Sequence, residues 1–186
     1  MRTVIFLDLD ETLVSTRPAR DPFSAIGQNF TSLLRPYAQE FLLELSTAYP
    51  LYLLTAGDRD FQTEVLKHHK IDTYFLKIFG RQDIGHAINL GKPLIPGILP
   101  LLIDDLNPAS YGFFQKFMAI GNLPEALQNI RSQTLEEMDQ QEALLDDFTQ
   151  VHYLQIKMFG GNPLDQELVN ILPAIFQKAA ILESNI

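Results

Sequence analysis

Asp8-Leu9-Asp10-Glu11-Thr12, Thr55 and Asp104-Asp105 each stand directly after a short apolar run. Two carboxylates at positions 8 and 10 can face one site if a strand ends between them. Paired carboxylates bind a hard divalent cation through oxygen, and they let one group attack an electrophile while the other transfers a proton. Thr55 offers a hydroxyl that can hold a phosphate oxygen or cap a helix. Asp104-Asp105 can complete a cation site, or form a polar Asx turn with Asn107-Pro108. Taken singly, each stretch also reads as a solvated turn. Taken together, they put acid, hydroxyl and acid beyond three apolar runs, which chance gives much less often.

The elements that would position these groups can be read from apolar periodicity. Residues 4–7 form a continuous β-branched and aromatic run, as in a strand buried on both faces of a parallel sheet. Residues 15–31, with Pro18, Pro22 and Gly27, read as an irregular connection. Arg35-Pro36 opens a helical pattern carrying Phe41, Leu42, Leu45 and Ala48, which ends at Pro50. Residues 51–54 read as a second strand, 59–69 as a helix and 75–79 as a third short strand. Residues 80–100 are rich in Gly and Pro and read as a loop with a short turn of helix. A further apolar strand over 99–103 leads into Asp104, with Pro100 tolerated near its start. Phe113, Phe114 and Phe117 read as core. Residues 151–156 suit a last strand, 160–163 a turn, and 164–182 an amphipathic helix that Pro173 could kink. The order predicts an α/β protein with a mainly parallel central sheet flanked by helices. In such sheets ligands bind beyond the carboxyl ends of the strands, where Asp8, Thr55 and Asp104 would point.

Composition narrows the function classes. The 186 residues suit one domain, 1–186, with a helical insertion expected at about 122–150. That insertion carries Glu136, Glu137, Asp139, Glu142, Asp146 and Asp147, as an acidic hairpin or a partner surface. There is no cysteine, which excludes disulfides, thiol nucleophiles and thiolate zinc sites. A net charge of -9 argues against a nucleic-acid partner. The apolar run at the N-terminus is too short for a signal or a membrane span, so an intracellular protein with no membrane partner is expected, cytoplasmic rather than nuclear. His68 and His69 are adjacent on a helical pattern and point apart, so they read as surface rather than as a metal pair.

Asp8-Leu9-Asp10-Glu11-Thr12-Leu13-Val14 resembles the DxDxT motif of haloacid-dehalogenase-superfamily phosphatases. The branch it looks most like acts on the C-terminal domain of RNA polymerase II and includes the NLI-interacting-factor-like proteins. Leu34-Arg35-Pro36 with Phe41-Leu42, Leu54-Thr55-Ala56, Ile103-Asp104-Asp105 with Asn107 to Tyr111, and Ile156 to Phe159 with Asp165 are similar to that branch's further motifs. The resemblance implies a Rossmann-like fold without a large cap domain. It also implies a Mg²⁺-dependent phosphomonoester hydrolase. Asp8 would be the nucleophile that forms an aspartyl phosphate, and Asp10 the general acid and then base. Thr12 would position Asp10, and Thr55 would hold a phosphoryl oxygen. Mg²⁺ would be bound by Asp8, Asp10 through its carbonyl, and Asp105, with Asp104 beside them. A phosphorylated partner, a phosphoserine or phosphothreonine protein, is the implied substrate. A small-molecule phosphatase and an inactive scaffold that binds partners through the acidic insertion are the alternatives.

The chain departs from the family pattern in places. The family needs a lysine beside the nucleophile, and Lys92, twelve residues before Asp104, is the expected one, with Arg81 second. In the branch that lysine stands somewhat earlier, before a Leu-Gly pair, whereas here Ala87-Ile88-Asn89 precede Leu90-Gly91. The segment around 81–91 is shorter than the branch's substrate-binding hairpin. Met158 stands where the branch often has Trp, and the chain has no Trp at all.

Overall fold

The computed structural model describes residues 2–18, 30–108, 110–121 and 152–184. In chain order these form β1 (Arg2–Leu7), β2 (Val14–Pro18), β3 (Phe30–Leu34), α1 (Ala38–Ala48), β4 (Leu51–Leu54), α2 (Arg59–His68) and β5 (Lys77–Phe79). They continue with α3 (Arg81–Leu90), β6 (Ile98–Asp104), α4 (Tyr111–Ile120), β7 (Tyr153–Gln155) and α5 (Glu167–Ser184). The expected insertion at 122–150 lies outside the described residues.

Five strands make one parallel sheet in the order β5-β4-β1-β6-β7. The central strand explains why. Ile5 and Leu7 pack on one face among residues of α1, α2 and α5, while Val4 and Phe6 pack on the other among residues of α3 and α4. Ile5, Phe6 and Leu7 are fully buried. Each such side chain contributes about 1.5–3 kcal/mol relative to an exposed position, so a strand apolar on both faces has no stable place except between two helical layers. The α/β architecture and its parallel sheet are as the sequence predicts. No helix among the described residues is long and apolar enough to cross a membrane.

Three local expectations need correction. Residues 14–18 and 30–34 are not irregular but pair as an antiparallel hairpin, Val14 opposite Leu34 and Pro18 opposite Phe30. Pro18 at the far end of this pair gave a loop signal, yet the ladder holds. Residues 81–90 form the full helix α3 rather than a loop. Its Gly80 N–H donates to Asp83 Oδ2 at 3.0 Å, Gly91 closes it at φ 59°, and Ile84 and Ala87 are buried. Burial three residues apart overrides the weak helix propensity of Gly85 and Asn89. Finally, α1 starts at Ala38, after Tyr37 in a left-handed conformation (φ 65°), so Pro36 precedes the helix and does not open it. Pro100 lies within β6 opposite Val4, and β7 joins β6 only from Leu102 onward. The missing donor therefore falls where no second neighbour needs it, and the Pro100 carbonyl accepts from His152 Nδ1 at 2.8 Å.

Candidate active site

Parallel register delivers the acids to one edge. Leu7 is opposite Leu53 on one side and Ile103 on the other. Asp8 follows β1 and donates its N–H to the Ile103 carbonyl at 3.0 Å, next to Asp104 at the end of β6. Thr55 follows β4, donating its N–H to the Phe79 carbonyl at 3.0 Å. Its Oγ1 accepts from Gly57 N–H at 3.0 Å, which orients the hydroxyl and leaves its hydrogen for a ligand. Asp8, Thr12, Thr55 and Asp104 are all buried.

The chain then turns back sharply. Leu13 and Val14 N–H both reach the Leu9 carbonyl, at 2.9 and 3.1 Å, with Leu9 and Leu13 fully buried. Glu11 takes the turn at φ 59°; its carbonyl accepts from Phe159 N–H at 2.8 Å and its carboxylate from Gly160 N–H at 2.7 Å. The turn leaves Asp10 half-buried with Oδ2 bonded to Gln62 Nε2 at 2.7 Å. Thr12 Oγ1 makes a long 3.5 Å contact to Asp105 Oδ1 rather than bonding Asp10.

The lysine beside Asp8 is Lys116, not Lys92. Lys116 Nζ lies 2.6 Å from Asp8 Oδ1 and 2.7 Å from Asp104 Oδ2, with 2% of its side chain exposed. Lys92 is exposed and lines a separate cavity of about 430 Å³ with Lys77, His86 and Leu90. The reason is α3: a ten-residue helix travels about 15 Å back along the sheet, so Lys92 emerges near the end where β6 begins. Helix α4 instead starts beside Asp104, and helical side chains lean toward the N-terminus. Lys116 therefore reaches back to the strand ends. Arg81, the second expectation, bonds the Ala56 carbonyl at 2.9 Å from outside the acid cluster. A sequence signal for Lys116 did exist. It shares the stripe of Phe113, Phe117 and Ile120, the otherwise apolar buried face of the helix.

Oxygen atoms of Asp8, Asp104 and Asp105 lie within 4.8 Å of one another. Burial pushes the Asp8 carboxyl well above its ordinary range, and Asp104 adds to this, while Lys116 opposes it. Burial also raises Asp10 and, with repulsion from Asp104, Asp105. Burial alone would lower Lys116, but Asp8 and Asp104 outweigh it and hold the ammonium charged. Three carboxylates facing one lysine leave two negative charges in excess. An all-oxygen donor set with that excess fits a hard divalent cation such as Mg²⁺. Asp104 already accepts from Lys116 and from Leu106 N–H at 2.9 Å, so Asp8 and Asp105 have the freer oxygens.

Arg35 locks this loop to the end of the chain. It bonds Asp165 at 2.9 and 3.0 Å, the Thr12 carbonyl at 2.9 Å and the Lys157 carbonyl at 2.8 Å, all from a fully buried side chain. Although burial raises Asp165, the Arg35 guanidinium holds its carboxyl below the usual range. A depressed folded-state pKa gives stability that is complete above about pH 4 and is lost as pH falls through the folded value. Arg35→Met should cost about 3 kcal/mol in urea unfolding at pH 7, with the gap to wild type narrowing in acid. An unchanged midpoint at pH 7 would contradict the clamp.

Residues 3–91, just under half of the chain, match the family model of NLI interacting factor-like phosphatases. The described fold is also similar to solved structures. One is the fission yeast RNA polymerase II C-terminal-domain phosphatase Fcp1, in an R271A form bound to beryllium fluoride: 20% identity, TM-score 0.53, covering 97% of this chain and 63% of that one. A second structure of Fcp1, described as an essential RNA polymerase II C-terminal-domain phosphatase, gives 20% identity and TM-score 0.53 over 98% of this chain and 64% of that one. A haloacid dehalogenase-like hydrolase from Streptococcus pneumoniae gives 18% identity and TM-score 0.43, covering 63% and 81%. The chain thus spans slightly under two thirds of the Fcp1 structures. No curated protein sequence matches it significantly. The α/β fold is that of the Fcp1 structures, and the family match covers Asp8, Asp10, Thr12 and Thr55 but stops before Asp104, Asp105 and Lys116.

Proposed function

We propose that this protein is a phosphomonoester hydrolase that works through an aspartyl phosphate on Asp8. The observation that carries the reading is the buried Asp8–Lys116–Asp104 trio at the end of the central strand, with Asp105 beside it. A solvated turn would not bury a lysine between two carboxylates, whose desolvation is costly. Lys116 occupies Oδ1 of Asp8 and leaves Oδ2 to attack phosphorus. As that P–O bond forms, the bond to the leaving oxygen breaks, and Asp10 gives its proton to that oxygen. Burial favours the protonated form of Asp10 that this step needs. In the second half, water attacks phosphorus, Asp10 takes the water's proton, and the bond to Asp8 breaks, releasing orthophosphate and restoring both carboxyl groups. Thr55 donates its hydroxyl hydrogen to a phosphoryl oxygen, and Lys116 keeps positive charge beside the transferring group.

Asp8 and Asp105, with Asp104 behind them, would hold Mg²⁺, which supplies charge neutralisation between an anionic nucleophile and an anionic phosphate. The substrate we propose is a phosphoserine or phosphothreonine protein. Two things support this. The described part of the connection from β1 to α1 is a hairpin rather than a cap domain, and the Fcp1 structures belong to a phosphatase of a protein tail. Hydrolysis of p-nitrophenyl phosphate should require Mg²⁺ and stop with EDTA. A phosphopeptide should then exceed sugar and nucleotide monophosphates in kcat/KM. Full activity in EDTA would reject the cation, and a preference for metabolites would reject the protein substrate.

A further inference from the structure

We infer that Gln62 is a positioning residue for proton transfer: its amide holds one oxygen of Asp10, so that the other oxygen alone carries the mobile proton. The inference rests on the proposed aspartyl-phosphate reaction. Gln62 lies on α2, 3% exposed, and its Nε2 donates to Asp10 Oδ2 at 2.7 Å. No motif brings the two together, since they are far apart in the chain and meet only because α2 packs below the loop after β1. An amide N–H donates to a carboxyl oxygen whether the group is ionised or protonated, provided the proton sits on the other oxygen. With Oδ2 engaged by Gln62, Oδ1 is the oxygen that the amide leaves for the leaving group and later the water, and the Thr16 hydroxyl also stands close to this carboxyl.

The amide is held in turn. A Cβ built on Gly57 would lie 2.4 Å from Gln62 Nε2 and 3.1 Å from its Cγ, so the backbone at Gly57 presses on the Gln62 side chain and leaves it little room to move. Gly57 N–H also bonds Thr55 Oγ1, which couples the phosphate-facing hydroxyl to the same corner. Gln62 Oε1 is buried and has no hydrogen-bond partner, so half of the amide is left unpaired at a cost to the fold. A glutamine that served packing alone would be better replaced by an apolar residue. Retaining it makes sense if the Nε2 contact matters to Asp10.

The test reads proton transfer directly. A general acid matters little when the leaving group departs readily as an anion and much when it does not. For wild type, Gln62→Met and Gly57→Ala, kcat/KM should be measured across substituted phenyl phosphates, from p-nitrophenyl to unsubstituted phenyl. Met keeps the buried volume and removes the amide, while Ala at 57 displaces the amide and keeps it chemically intact. In both variants the loss should grow along the series, with phenyl phosphate losing roughly tenfold or more beyond the loss on p-nitrophenyl phosphate. This readout is a ratio within one preparation, so a partly unfolded sample does not alter it. Equal losses across the series would overturn the role of Gln62, although the phosphatase reading would stand. Activity that persists in Asp8→Asn would instead reject the aspartyl-phosphate mechanism on which this inference rests.

Discussion

Asp8→Asn is expected to lower phosphatase activity by at least about four orders of magnitude while making the cation-free protein harder to unfold. The activity loss follows from removing the attacking oxygen's charge. The gain in stability follows from the site's electrostatics. Burial and Asp104 raise the Asp8 carboxyl well above its ordinary value despite the 2.6 Å bond to Lys116. A raised folded-state pKa on an acid means that its charge costs stability at neutral pH, and that this cost disappears as pH falls through the folded value. Asn keeps the shape and has no charge to bury. A higher urea midpoint than wild type is expected in EDTA at pH 7. Adding Mg²⁺ should then stabilise wild type more than the variant, because a ligand stabilises in proportion to its affinity for the folded state. A less stable Asp8→Asn protein in EDTA would show that the pairing with Lys116 outweighs the cost of burial.

The sheet was legible in the sequence because its strands are apolar on both faces. Residues 4–7 and 51–54 admit no amphipathic reading, and a strand of that kind belongs in the middle of a parallel sheet. Helix α3 was not legible, because Gly85 and Asn89 weaken its propensity and the burial of Ile84 and Ala87 is a tertiary fact. The hairpin β2–β3 was hidden for a different reason. Its pairing of Val14 with Leu34 joins residues separated by a Pro- and Gly-containing connection, and turn residues signal where the chain breaks rather than what it pairs with.

Among the expected site residues, those at strand ends lie together because topology sends them to one edge of the sheet: Asp8, Thr55, Asp104 and Asp105 needed only a parallel register. Asp10 and Thr12 lie in the turn directly after Asp8, and the turn keeps them near. The lysine was misassigned because its expected position depended on the path of residues 80–100, the stretch that the sequence misread as a loop. Sequence distance to Asp104 favoured Lys92, which precedes it by twelve residues, yet Lys116 follows it by the same number. What separated the two was helix direction. Neither Arg35 nor Gln62 could be assigned its partners from sequence, since both act through contacts between segments distant in the chain.

The two lysines make the sharpest comparison. Lys116→Met should lose both activity and stability, whereas Asp8→Asn should lose activity and gain stability. Without the ammonium, Asp8 and Asp104 face each other buried and uncompensated, which costs about 3–5 kcal/mol when one partner of a buried pair is removed. Some of that cost will be relieved by protonation, and a proton on Asp8 suppresses its attack on phosphorus. Loss of the fixed positive charge beside the transferring group should lower kcat by a further 10²–10³-fold or so. Raising Mg²⁺ should recover stability better than activity, because a cation can offset the excess charge but cannot replace the 2.6 Å bond that leaves Oδ2 free. Lys92→Met, at an exposed position on the far side of α3, should change neither quantity by more than about twofold or 0.5 kcal/mol. Activity that tracks Lys92 and ignores Lys116 would mean that α4 does not bring its lysine to Asp8. In that case the buried trio could no longer support the catalytic reading.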